Sequence, residues 1–320
     1  SSGAIALGSR LLKIHNKMLS LQEKQAAVAT GQVTLAHAWM EALGAYKVQA
    51  AQILLSPDDT ETRRKHLNAR ATMGALLELN AVPVVNENDT VATAEIRFGD
   101  NDRLAARVAA MIGADLLVLL SDVDGLYTGN PNQNNDAIHL PQVDHISDDI
   151  MAMAGAANAQ YASGGMVTKL EAGRISTAAG CHMIICDGRD LEPLLRLENG
   201  ARCSCFIATE TPHAARKQWI AGALTPRGTI GVDAGAATAL RSGKSLLPAG
   251  VMVVDGQFDR GDLVAVEDQS GRIIGHGLSS YSAADASKIK GHKSREIETM
   301  LGYRGRDEMI HADNLVVIDN

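Results

Sequence analysis

Apolar and polar positions follow two different rhythms along this chain, and the change from one to the other divides it. Helical spacing covers residues 11–43 with an interruption near Gly31, and Gln52-Ile53-Leu54-Leu55 follows as a short apolar strand. Ser56-Pro57-Asp58-Asp59 signals a helix start, with proline early and acids in the first turn, and predicts a helix to about Asn80. Ala81-Val82-Pro83-Val84-Val85 predicts a buried strand, Pro83 being tolerable only near its beginning. Helical spacing returns over residues 104–112, with Asn101 or Asp102 as the N-cap. Asp115-Leu116-Leu117-Val118-Leu119-Leu120 is apolar on both faces of a strand, so it needs cover on both sides. Asp148-Asp149 predicts a short helix through Ala156, another helix ends at Gly180, and His182-Met183-Ile184-Ile185-Cys186 predicts a further buried strand. Strands and helices alternating in this way predict an α/β domain over residues 1–211, a mostly parallel open sheet with helices on both faces. Residues 212–226 read as a linker, and over 227–320 the rhythm becomes short strands between glycine turns. Thr229-Ile230-Gly231-Val232, Val251-Met252-Val253-Val254, Leu263-Val264-Ala265-Val266 and Ile273-Ile274 make that second part a small β-rich domain.

Composition narrows the class. The 320 residues are 46% hydrophobic and only 3% aromatic, which gives a core of Ala, Val, Leu, Ile and Met. A net charge of −7 argues against a generic polyanion binder. Residues 227–320 hold 11 Lys plus Arg against 13 Asp plus Glu, and the basic cluster Lys288, Lys290, His292, Lys293, Arg295 runs directly into Glu296 and Glu298. Cys181, Cys186, Cys203 and Cys205 form no CxxC pair and have no zinc spacing, so they read as buried or incidental thiols of a reducing compartment. No apolar run approaches the roughly 20 residues of a membrane span and no signal peptide is visible, so a cytoplasmic protein is expected.

The chemistry concentrates in two stretches. Residues 86–102 pack five acids, three Asn and a Gly into seventeen positions, a loop that no core can absorb. It leaves the carboxyl end of a predicted strand, the edge of an open parallel sheet where ligands bind. In Ser163-Gly164-Gly165-Met166-Val167-Thr168-Lys169 two glycines let the backbone approach an anion, the new helix offers unpaired amide hydrogens, and Lys169 lies in its first turn. This is not a Walker A loop, and a Gly-Gly before a helix is often only a turn. Gly243-Lys244-Ser245 is a decoy, because a P-loop would need glycine where Thr238 stands. Gly275-His276-Gly277 lacks the third glycine of a dinucleotide fingerprint, and His182 reads as a packed or capped histidine. From spacing alone Ser1-Ser2-Gly3-Ala4-Ile5 reads as a flexible tail.

Asn86-Glu87-Asn88-Asp89 through Gly99-Asp100-Asn101-Asp102, then Ser121-Asp122, Gly164-Gly165-Met166 and Lys169, looks in that order like the bacterial glutamate 5-kinases of the amino acid kinase family. The C-terminal part, with Gly250, Gly261-Asp262 and Gly271 in its turns, resembles the PUA domain many of them carry. The resemblance spans nearly the whole chain and reverses the reading of the N-terminus, since Ser2 matches a substrate contact. It implies phosphoryl transfer from ATP, with Mg²⁺, to the side-chain carboxylate of glutamate, the first step of proline biosynthesis. It assigns Ser2, Asp89 and Asn101 to the substrate and Lys169 and Asp102 to catalysis. Ser121, Asp122 and the loop Ser163, Gly164, Gly165, Met166, Val167, Thr168, Lys169 fall to the nucleotide, with no dedicated protein metal site. It also implies a homo-oligomer with proline as feedback inhibitor. In the family a strand and a Lys-x-Gly-x-Ser loop precede the segment that starts here at Ser1, so the chain as given is expected to be inactive or nearly so. Two alternatives stand beside this reading: a kinase acting on acetylglutamate or aspartate, and an RNA-binding PUA protein, which the near-neutral charge of residues 227–320 weakens.

Overall fold

The helical and apolar patterns of the first two hundred residues resolve, in a computed structural model, into paired helices and parallel strands. It describes residues 1–14, 19–91, 101–131, 133–156, 165–222 and 225–318. The chain divides into two compact units, Ser1–Pro212 and His213–Asn320.

The first unit begins with α1 (Ala4–Leu11) and α2 (Leu21–Gly44), the latter opened by a capping box between Ser20 and Glu23. Gly31 does not interrupt α2, as its sequence suggests; it is where α1 crosses. A Cβ on Gly31 would lie 1.9 Å from the Ala4 carbonyl oxygen, and one on Gly8 would lie 1.7 Å from that of Ala27. The two glycines let the backbones touch, and α2 runs unbroken through the contact. β1 (Gln49–Leu55) follows, then α3 (Pro57–Glu61), α4 (Arg63–Glu78) and β2 (Ala81–Glu87), which pairs parallel with β1 from Gln49↔Ala81 to Leu55↔Glu87. The single helix expected after Ser56 is two, because Thr62 takes an extended conformation between them.

α5 (Asn101–Ile112) leads to β3 (Leu116–Ser121), the small strands β4 (Leu126–Tyr127), β5 (His139–Leu140) and β6 (Gln142–Val143), and α6 (Asp148–Ala156). α7 (Met166–Ala178), β7 (His182–Asp187), α8 (Pro193–Glu198) and β8 (Cys203–Phe206) complete the unit. The second sheet has the order β3-β7-β8-β6, with β3 parallel to β7 and β8 antiparallel to it. α5 and α7 pack on each other and on this sheet over a core that includes Ala106, Leu119, Leu170, Met183, Ile185 and Phe206. The α/β architecture is as expected. Burial of β3 on both faces is not: Leu119 is covered, while Leu116 and Leu120 are 49% and 51% exposed. His182 is a satisfied histidine whose Nδ1 accepts from the Ala208 amide at 3.1 Å. All four cysteines are free thiols, and burial pushes that of Cys181 up to about 11.

The second unit takes nearly all of α9 (Pro212–Gly222), a helix inside the stretch read as a linker. β9 (Gly228–Val232), α10 (Ala234–Arg241), β10 (Val251–Gly256), β11 (Leu263–Glu267), β12 (Ile273–Leu278), α11 (Ala283–Ile289), α12 (Ile297–Leu301) and β13 (Leu315–Val317) follow. The strands form one sheet of order β10-β9-β11-β12-β13 around Ile230, Val264, Val266, Ile274, Ile289 and Ile310. The discarded Gly243-Lys244-Ser245 only closes a turn: the Lys244 amide bonds back to Ala239, and the Ser245 hydroxyl accepts from Ala312 at 2.9 Å.

Candidate active site

Parallel pairing aligns the carboxyl ends of β1 and β2, and the polar residues after β2 emerge there. The Asn88 amide ties the two ends together through the Leu55 carbonyl at 2.8 Å, and Asp89 opens a 3-10 turn over Asp89–Val91. The Ser1 nitrogen donates to the Val85 carbonyl at 2.7 Å, which brings Ser2 and Gly3 alongside the same strand end before α1 begins. Asn86, 3% exposed, donates from Nδ2 to Oε1 of Gln32 on α2 at 2.7 Å.

Asp89 is 7% exposed, and burial pushes its carboxyl up to about 6. Among the described residues its Oδ1 has no hydrogen-bond partner, and neither has the buried Oδ1 of Asn101 at the start of α5. Buried polar atoms are rarely left open in a folded protein, so two acceptors without a partner among the described residues, one after β2 and one at the start of α5, mark a place for a donor group.

The next residue, Asp102, faces the other chemistry. Its Oδ2 accepts from Lys169 Nζ at 3.0 Å and from the Thr168 hydroxyl at 2.9 Å, joining the first turns of α5 and α7. Arg103 and Glu171 form a second bridge between the same helices. The cap position of α7 is Gly165, which has no side chain to cap with, so amide hydrogens and a lysine lie together at its positive end. Across the sheet, Ser121 ends β3 opposite Asp187 of β7; its hydroxyl donates to Asp122 at 3.1 Å, and its carbonyl accepts from Gly188 at 2.8 Å. Arg189 beside Asp187 holds that carboxyl down to about 2.

Of the residues singled out in the sequence, Asp102, Thr168 and Lys169 are in direct contact, and Asn101 adjoins them. Gly165, Met166 and Val167 form the start of α7, Ser2 and Asp89 lie by β2, and Ser121 and Asp122 end β3. Ser163 and Gly164 lie outside the described residues. Among the described residues no group of three or more His, Cys, Asp or Glu is placed to hold a metal ion. Gln32 and Asn86 were not assigned from the sequence. The available signal was Gln32 itself, a polar residue on the stripe that α2 buries with Ala27, Val28 and Gly31.

Comparison with known proteins bears on the same residues. The model of the amino acid kinase family matches residues 2–187, and that of the PUA domain matches residues 228–301. A protein named glutamate 5-kinase from Paramagnetospirillum magneticum is 57% identical over 317 residues, 99% of this chain and 85% of that one. Another of that name from Agrobacterium fabrum is 58% identical over 317 residues, 99% of this chain and 82% of that one. With more than half its length matched, and Asp89, Asn101, Asp102 and Lys169 all inside the match, the chain belongs to the amino acid kinase family.

Proposed function

We propose that this chain is an ATP-dependent kinase that phosphorylates the side-chain carboxylate of glutamate, giving glutamyl 5-phosphate, the first step of proline biosynthesis. The observation that carries the reading is the Lys169–Asp102–Thr168 bridge beside Asn101, in a chain whose relatives bear the glutamate 5-kinase name over 99% of its length. A γ-carboxylate oxygen attacks the γ-phosphorus; the new O–P bond forms as the bond to the bridging oxygen breaks, and that electron pair leaves on ADP. The acceptor is ionised near neutral pH, so no general base is needed and catalysis is positioning plus charge stabilisation.

Lys169 supplies positive charge at the transferred group, and Asp102 fixes the ammonium in place from α5. Asp89 takes the substrate ammonium, while the neutral Asn101 and Ser2 bind without repelling carboxylates. With glycine at its N-cap the start of α7 fits an anion, so the nucleotide phosphates fall to Ser163, Gly164, Gly165, Met166, Val167 and Thr168 with Lys169, and the rest of the nucleotide to Ser121 and Asp122. Mg²⁺, when bound, offsets phosphate charge as a hard cation needing few protein ligands. A cytoplasmic homo-oligomer inhibited by proline belongs to the same reading.

The test is ADP release, with hydroxylamine trapping of the acyl phosphate, on glutamate, acetylglutamate and aspartate, for this chain and for one extended at its N-terminus by the strand and Lys-x-Gly-x-Ser loop of the family, the extended protein carrying the turnover. Turnover should depend on glutamate, fall by about 10²–10³-fold in Lys169→Met, and show proline inhibition relieved by added glutamate. Turnover that ignores glutamate, or prefers either of the other acceptors, defeats the assignment.

A further inference from the structure

Three buried side-chain atoms at the substrate edge have no partner among the described residues: Asp89 Oδ1, Asn101 Oδ1 and Gln32 Nε2. The first two are acceptors on residues already assigned to the substrate. The third is a donor, on the buried stripe of α2.

Gln32 is 6% exposed, and its Oε1 is occupied by Asn86 Nδ2 at 2.7 Å. That bond fixes which way the amide is turned, so Nε2 is the end left open. A glutamine serving only to fill the core would satisfy both ends from the protein, because an unmade bond from a buried donor is costly. Its position is also held tightly. Gly31, one residue before it, sits against the Ala4 carbonyl, and Ala4 begins the helix that Ser2 and Gly3 enter. α2 packs on the 3-10 turn that carries Asp89. The amide is therefore placed between the N-terminal segment and the substrate loop.

We propose that Gln32 binds the amino acid substrate, donating from Nε2 to its α-carboxylate while Oε1 holds Asn86. The inference rests on the glutamate kinase reading above. The α-carbon of an amino acid carries a donor group and an acceptor group side by side. Asp89 and Asn101 complement the ammonium, and a donor is required for the carboxylate next to it. The γ-carboxylate is committed to the Lys169 end, so the α-carboxylate is the one left for Gln32. An amide suits the position better than a lysine would, since a lysine would neutralise Asp89 and compete with the substrate ammonium.

The test compares glutamate with its α-amide, which keeps the γ-carboxylate acceptor but presents an uncharged α-group. KM for each, KM for ATP and kcat are measured by ADP release for the unsubstituted protein, Gln32→Glu and Gln32→Met. Gln32→Glu should raise KM for glutamate by about 10–100-fold and KM for the α-amide by less than about threefold, narrowing or inverting the preference. Gln32→Met, which keeps the volume and adds no charge, should raise KM for glutamate about tenfold with kcat and KM for ATP within about twofold, the pattern of lost uniform binding. Equal losses for glutamate and the α-amide in Gln32→Glu, or a Gln32→Met variant with unchanged KM for glutamate, overturn the inference and leave the proposed function standing. All of these are measured on the protein extended at its N-terminus by the strand and Lys-x-Gly-x-Ser loop of the family, and no glutamate-dependent turnover in that extended protein defeats both.

Discussion

Asp89 carries a cost that its proposed role explains. Its carboxyl is buried, with Oδ1 unpartnered among the described residues, and burial pushes it up to about 6 from 3.8. Between those values the folded state holds more protons than the unfolded one, so this group's contribution to stability falls as pH rises through the window and is fully unfavourable above about 6. Asp89→Asn should therefore stabilise the substrate-free protein by up to about 2–3 kcal/mol at pH 7.5 and by almost nothing at pH 4. Urea melts at the two pH values check this; equal effects at both would remove the ionisation argument. The same variant should bind glutamate more weakly, and in the unsubstituted protein KM for glutamate should climb as pH drops below about 6, because the ammonium needs the ionised form. The stretch that holds Asp89, Asn101 and Asp102 stood out in the sequence because acids and amides clustered after an apolar strand have no core explanation; Lys169 stood out separately, behind a Gly-Gly at a helix start, and the roles given to all four came from the family resemblance. Gln32 was not, being a single amide in a 24-residue helix whose partner lies 54 positions away.

The same distinction between local and distant causes holds for whole elements. Strands β1, β2, β3 and β7 and helices α5, α6 and α7 were legible because each pattern is decided within its own window. The α1–α2 crossing was not, since a glycine in a helical window reads as a breaker and only the partner helix shows it as a contact. The exposed face of β3 escaped for the opposite reason: an apolar run says a strand can be buried on both faces, not that it is. Gly31→Ala would drive a methyl against the Ala4 backbone, which has no flexible end to move aside, and should destabilise the protein by about 3 kcal/mol or more. Gly74, inside α4, is the control, because a methyl added there would meet nothing within 4 Å: Gly74→Ala should stabilise by about 0.5–1 kcal/mol. Thermal melts of the pair separate contact from propensity, and a Gly31→Ala variant as stable as the parent would show that the helices can part. If they do part, Gln32 moves with α2, so Gly31→Ala should also raise KM for glutamate.

At the scale of the molecule, two cores were visible as two rhythms, but the seam between them was not. Residues 212–226 look like a linker because the regular patterns stop there, yet α9 is anchored within the second unit by a polar contact that no hydrophobic period reports. Arg216 donates from Nε and Nη2 to Asn314 Oδ1 at 3.2 and 2.7 Å, and from Nε to the Asp313 carbonyl at 3.3 Å. Asn314 is 8% exposed, so removing the guanidinium would leave a buried amide oxygen without those donors. Arg216→Ala should cost the second unit about 1–3 kcal/mol, and the loss should stay local because each unit has its own core. Hydrogen exchange tests both parts of the statement. Amides of β9 and β13 should exchange faster by about one to two decades, those of β3 and β7 should not change, and KM for glutamate should hold, since the substrate residues all lie in Ser1–Pro212. Faster exchange in β3 and β7 would mean that the two units unfold as one, and protection unchanged in β9 and β13 would mean that α9 is a tether after all.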